Sequence, residues 1–129
     1  MPLLRFDLIQ GRSDEDLRAL LDAAHRAMLA AFNVPPGDRY QIVNEHAASR
    51  MLIEDTGLGI RRTDKVVFLQ VTTRPRPRAM KEEFYRLLVE ELDKSCGIAP
   101  SDVVVSMISN TDEDWSFGHG RAQFLTGEL

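Results

Sequence analysis

Two arginines stand one residue apart in Thr72-Thr73-Arg74-Pro75-Arg76-Pro77-Arg78, each followed by a proline. In an extended chain, residues i and i+2 project to the same side, about 6.6 Å apart. A residue before proline avoids the α region, so the run is stiff. Arg74 and Arg76 can therefore act as paired guanidiniums, a seat for a carboxylate, which accepts forked hydrogen bonds. The plainer reading is a solvated basic exit from a strand, and the run taken alone favours it. Pro2 changes that balance. It follows Met1, and removal of Met1 exposes a secondary amine. Such a group is a base when neutral, an acid when protonated, and a nucleophile toward a carbonyl. Neighbouring guanidiniums lower its pKa and a carboxylate such as Asp38 raises it. With Met1 attached, Pro2 nitrogen is an amide and inert.

These residues need a frame that brings them together. Residues 3–9, LLRFDLI, read as a strand. Ser13 caps a helix, with Asp16 three residues on, and Leu17, Leu20, Leu21, Ala24 and Met28 recur at helical spacing. That helix ends near Asn33, before Pro35 and Pro36, and a second strand follows at 39–43. The plan then repeats. Residues 65–73 form a strand rich in β-branched side chains. A helix runs from about Arg78 to Ser95, with Phe84, Leu87, Leu88 and Leu92 on one face, and Gly97 holds the C-cap position. A fourth strand covers 102–108. A shift of 64 residues lays Leu20 on Phe84, Ala24 on Leu88, Met28 on Leu92 and Asn33 on Gly97.

The expected fold is therefore α+β: one domain over 1–129, a tandem β-α-β duplication with half-repeats at about 2–44 and 66–108. Each unit contributes a parallel strand pair with a right-handed crossover. Together they give a four-stranded mixed sheet with two helices on one face. The other face stays uncovered although it carries apolar residues, which predicts subunit association. The C-terminal segment, 109–129, is expected to add a short strand pinned onto a neighbouring subunit. The linker 45–64 is long for a plain loop, and Met51–Asp55 is a candidate edge strand. With the first strand of each half central and antiparallel, the start of the first strand lies beside the end of the third. Pro2, Asp38, Arg74 and Arg76 then converge at one edge of the sheet.

Composition narrows the function classes. Hydrophobic residues make up 43% and charged residues 28% of the chain, and the net charge is −4 with both signs interspersed. That suits a globular domain and argues against nucleic acid as partner. A single cysteine, Cys96, allows no internal disulfide. No apolar run reaches membrane-spanning length and the start is unlike a signal peptide, so a cytoplasmic location is expected. His25, His46 and His119 are isolated from one another, with His25 expected at a surface or boundary. Cys96 reads as a small buried filler. Residues 57–60, GLGI, read as a turn and residues 111–115, TDEDW, as a solvated turn.

The start PLLRFDLI, the doubled β-α-β plan, GDRYQIV, TRPRP and the tail DWSFGHGRAQFLTGEL together resemble the tautomerase superfamily, and within it most closely malonate semialdehyde decarboxylase. The likeness runs over essentially the whole chain. It implies Pro2 as the catalytic amino-terminal proline, Arg74 and Arg76 as ligands of the substrate carboxylate, and Asp38 as the active-site aspartate. It implies an apolar wall of Trp115, Phe117, Phe124 and Leu129. It also implies a homotrimer, a small 3-oxo carboxylate as substrate, and no metal or organic cofactor. The expected reaction is loss of CO₂ from malonate semialdehyde to give acetaldehyde. Tautomerisation or hydration of 2-oxo or unsaturated acids by the same proline is the alternative. A non-catalytic carboxylate-binding trimer is the alternative from another class.

Overall fold

The computed structural model describes residues 1–129. Its elements follow one another as β1 (Leu3–Ile9), α1 (Asp14–Phe32), β2 (Tyr40–His46), β3 (Val67–Thr73), α2 (Arg78–Cys96), β4 (Val103–Ser109) and α3 (Gln123–Thr126). Short 3₁₀ turns occupy Ala48–Arg50, Pro100–Asp102 and Asp112–Asp114. The sheet order is β2-β1-β3-β4. β1 runs parallel to β2 and antiparallel to β3, and β3 runs parallel to β4. The four-stranded mixed sheet expected from the repeat is the sheet observed, with the first strand of each unit at its centre.

Local chemistry explains the helices. Ser13 accepts from the Asp16 N–H at 3.1 Å, satisfying one orphan donor at the start of α1. Asp14, Glu15 and Asp16 add negative charge at the positive end of its dipole. Asn33 and Gly97 end the two helices in the left-handed conformation, at φ 52° and 65°. There the absence of a Cβ, or a short amide side chain, keeps the turn free of strain. Both cap residues donate back into the last turn, Asn33 to Leu29 and Gly97 to Asp93.

The two helices lie on one face of the sheet, and a single core forms between the layers. Leu4, Phe6 and Leu8 of β1 and Val67, Leu69 and Val71 of β3 are fully buried against Leu20, Ala24, Met28, Phe84, Leu88 and Leu92. Each large side chain so buried contributes roughly 1.5–3 kcal/mol. Phe32 and Phe84 stack across the helix pair with ring centroids 5.1 Å apart. The opposite sheet face is uncovered. Its rows read Tyr40–Leu3–Thr72–Ile108 and Asn44–Asp7–Phe68–Val104, apolar at many positions.

Three expectations are corrected. Residues 109–129 add no strand: they form a 3₁₀ turn, an irregular stretch and the one-turn α3. Met51–Asp55 is not an edge strand either. The linker is instead tied down by side chains. Asp102, almost fully buried, accepts from the Thr63 N–H at 2.7 Å and from its hydroxyl, while Arg62 donates to the Ser101 and Glu54 carbonyls. β2 also extends further than expected, to His46. Asn44, Glu45 and His46 pair with Asp7, Leu8 and Ile9 although their polarity hides the strand from an apolar pattern.

Candidate active site

The register assembles the site. Leu3 pairs with Tyr40 on one side and Thr72 on the other. The chain start therefore lies between the loop that enters β2, which carries Asp38, and the exit from β3, which carries Arg74 and Arg76. Pro2 is buried there. The amine ahead of it, on Met1, has its pKa lowered by burial; Asp38 opposes this, Arg76 and Arg74 add to it, and Asp112 opposes it. Met1, Asp38, Tyr40, Phe117 and Leu129, with Pro35 and Gly37, line a hollow of about 250 Å³; Arg74 and Arg76 are not part of its lining. Two other hollows, one beside Arg12 and Cys96 and one beside Tyr85, lie away from this cluster.

Asp38 is 7% exposed and one of its carboxylate oxygens, Oδ2, is buried with no hydrogen-bond partner. Burial raises its pKa, against the pull of the chain-start amine, Arg76 and His25. Its loop is held from behind. The Asp38 N–H donates to the Pro35 carbonyl at 2.9 Å. His25 Nε2 lies 2.9 Å from the Pro36 carbonyl, so that nitrogen carries the donating proton. His25 is thus a buried support of the Asp38 loop rather than a surface residue. Helical spacing gives no sign of that role, because its partner is a backbone carbonyl eleven residues on.

The two arginines have different partners rather than one shared seat. Arg74 Nη2 donates to the Asp112 carboxylate at 2.8 Å, and its guanidinium lies over the Phe124 ring, 4.4 Å from the centroid. Arg76 Nε donates to the Thr73 hydroxyl at 3.1 Å, and its guanidinium lies 5.1 Å from the Phe32 centroid. Burial and the neighbouring Arg74 push the Arg76 pKa down, with Asp38 opposing. It remains a cation, as guanidinium does in proteins. Residues 111–115 are therefore not merely a solvated turn, since Asp112 reaches into the site. A Thr111–Asp114 capping box fixes the turn that presents it.

Of the residues expected in an apolar wall, Phe117 and Leu129 line the hollow, and Trp115 and Phe124 lie behind them against the Phe117 ring. Phe117 stacks on Trp115 at 5.5 Å and on Tyr40 at 5.9 Å, and meets the edge of Phe124 at 5.4 Å. Trp115 Nε1 donates to Asn110 at 2.7 Å. Leu129 lines the hollow but remains 62% exposed. Gln123, which sequence reasoning passed over, pins this irregular chain. Its carbonyl oxygen accepts from the Phe117 N–H at 2.9 Å and its amide donates to the Gly118 carbonyl at 2.8 Å. Cys96 is half-buried and remote from these groups, and burial raises its thiol pKa. No group of three or more His, Cys, Asp or Glu side chains is placed to hold a metal ion. No helix is long and apolar enough to cross a membrane.

Comparison with known proteins gives the family. Two family models described as tautomerase enzymes match, one over residues 38–118 and one over residues 2–61. The chain is 57% identical to the probable tautomerase YrdN of Bacillus subtilis (strain 168), over the full length of both. Among solved structures it is similar to a malonate semialdehyde decarboxylase, with a TM-score of 0.97 and 54% identity over 98% of each chain. That protein is described with decarboxylase and hydratase activities, and its structures include a variant with the first-residue proline changed to alanine. A second, the FG41 malonate semialdehyde decarboxylase inhibited by 3-bromopropiolate, gives a TM-score of 0.94 and 41% identity over 98% of this chain and 97% of that one. With a family model matched over most of its length and a relative of this identity end to end, the chain belongs to the tautomerase superfamily.

Proposed function

We propose that the protein is a cofactor-independent decarboxylase of short 3-oxo acids, converting malonate semialdehyde to acetaldehyde and CO₂. The observation that carries this reading is the strand register, which sets the chain start between the Asp38 loop and the β3 exit that carries Arg74 and Arg76. The similarity to solved malonate semialdehyde decarboxylases over nearly the whole chain supports it. In this reading Met1 is removed and Pro2 presents a secondary amine to the hollow. The substrate carboxylate rests on Arg74 and Arg76. The bond between that carboxylate and C2 breaks, CO₂ leaves, and the electron pair moves into the C3 carbonyl. Protonated Pro2 stabilises the resulting enolate oxygen more than the ground-state carbonyl, which is the requirement for catalysis. A proton then adds at C2 to give acetaldehyde. An iminium between Pro2 and the aldehyde would be an alternative electron sink. Asp38 holds Pro2 protonated in the first route and orients water in the second.

The arginines also stabilise the substrate's ground state. Their contribution is positional: they turn the breaking bond across the plane of the carbonyl. Trp115, Phe117, Phe124 and Leu129 form an apolar wall that favours neutral CO₂ over the carboxylate. Hydration of an unsaturated acid is the second reading. It is favoured by Asp38 Oδ2, an unpartnered acceptor able to take a proton from water. Two further copies of the chain are proposed to cover the open sheet face, where Tyr40, Ile42 and Ile108 are 42%, 39% and 46% exposed. Sedimentation velocity should then give three times the chain mass, and a monomer at micromolar concentration would refute the trimer.

A panel of 3-oxo, 2-oxo and unsaturated acids, assayed for CO₂ release and for substrate loss with Met1-free protein, tests the activity. Malonate semialdehyde should give the highest kcat/KM. Asp38→Asn should lose about 10²-fold or more while its Tm stays within a few degrees. Preference for an enol or unsaturated acid without CO₂ would move the assignment to tautomerase or hydratase. Binding of these acids with no turnover would leave only a carboxylate-binding protein.

A further inference from the structure

We infer that Asp112 is a specificity-determining residue: seated on Arg74, it cancels one guanidinium charge and so tunes the site to accept a monocarboxylate and refuse a dicarboxylate. This rests on the reading of Arg74 and Arg76 as the anion seat. The ion pair is direct, at 2.8 Å, between side chains that are each 39% exposed. The Arg74 guanidinium also lies over the Phe124 ring, a contact that favours the same placement. Arg76 has no such carboxylate: its hydrogen bond is to the neutral Thr73 hydroxyl.

The fold places Asp112 deliberately close. The Asn110 N–H donates to the Thr73 carbonyl at 2.9 Å, which brings the chain leaving β4 alongside the exit from β3. Asp114 is consumed by the capping box with Thr111, through the Thr111 N–H and hydroxyl. That leaves Asp112 as the acid of this turn that reaches Arg74. Counting the groups that act on the chain-start amine gives cations at the amine, Arg74 and Arg76, and anions at Asp38 and Asp112. With the amine protonated the cluster carries one net positive charge. A monocarboxylate neutralises it. A dicarboxylate leaves it negative, with its second charge repelled by Asp38, which is itself nearly fully buried.

The test is isothermal titration of Met1-free protein with propionate and with malonate, acids of equal carbon number that differ by one charge. Wild-type protein should bind propionate more tightly. In Asp112→Asn, and in Asp112→Ser as a second variant of different shape, the ratio of malonate to propionate affinity should rise about tenfold. Asp112→Glu, which keeps the charge, should leave the ratio near wild type. An unchanged ratio in the Asn and Ser variants, while Arg74→Ala still weakens both acids, overturns the role of Asp112 and spares the anion seat. If Arg74→Ala and Arg76→Ala leave both affinities unchanged, the anion seat itself fails and this inference fails with it.

Discussion

Protein freed of Met1 should release CO₂ from malonate semialdehyde if the proposed reaction is its own, and protein that retains Met1 should do so at least about 10³-fold more slowly. In the retained form Pro2 nitrogen is an amide without a basic lone pair. The amine now available belongs to Met1 and sits about one Cα spacing, 3.8 Å, further along the chain. Reacting atoms must approach to about 3–3.5 Å in a fixed orientation, so a displacement of that size removes both the chemistry and its alignment. Intact mass separates the two preparations by one methionine, and steady-state kcat/KM compares them. Equal rates would detach Pro2 from catalysis. Pro2→Ala keeps a primary amine at the same place and should retain partial activity.

The same comparison resolves the two routes. Borohydride added during turnover should trap a reduced adduct on Pro2 if an iminium forms and leave the mass unchanged if Pro2 acts only as a cation. The pH profile carries the sign. Burial lowers the pKa of the Met1 amine, Asp38 raises it, and Arg76 and Arg74 lower it; an amine on Pro2, the next residue, is expected to feel the same charges. A rate that needs the protonated amine falls as pH rises through that pKa. Removing the Asp38 charge takes away the raising contribution, so in Asp38→Asn the basic limb should move to lower pH. A limb that stays in place would mean that Asp38 does not hold the proton on Pro2.

What the sequence revealed about this molecule follows the range of the interaction concerned. Helix faces and caps are local. Leu20, Ala24 and Met28 recur within two turns, and Asn33 and Gly97 each stand one residue past their helix. The order of the strands then follows from crossover handedness and the repeat. β2 was only half legible, because an edge strand facing away from the core can carry Asn44, Glu45 and His46. The tail misled for a different reason. Trp115 and Phe117 alternate like strand residues, yet they stack with a ring-centroid distance of 5.5 Å on an irregular chain held by the Gln123 side chain. Asp112 and His25 left no usable signal. Their partners, Arg74 and the Pro36 carbonyl, are set by tertiary approach rather than by spacing.

Arg76→Ala should cost more than Arg74→Ala, about 10²–10³-fold in kcat/KM against about tenfold to 10²-fold. The two look equivalent in sequence, but their surroundings differ. Arg74 shares its charge with Asp112 before any substrate arrives, so its net pull on a carboxylate is already reduced. Arg76 has a hydroxyl and an aromatic face as neighbours, and its charge is uncompensated by direct contact. Asp38 also acts on its charge, so a substrate carboxylate on Arg76 would be placed relative to the Pro2–Asp38 pair. If its contribution is positional, kcat should fall along with affinity, because a misaligned bond cannot deliver its electrons into the carbonyl. Arg76→Lys keeps the charge but not the planar fork, and should restore affinity more than kcat. Losing Arg76 also removes its packing on Phe32, so Tm must be measured beside the kinetics. A stable Arg76→Ala with near-normal kcat/KM would take Arg76 out of the site. Equal losses in the two alanine variants would mean that Asp112 does not weaken Arg74, which would also count against its part in selecting the substrate's charge.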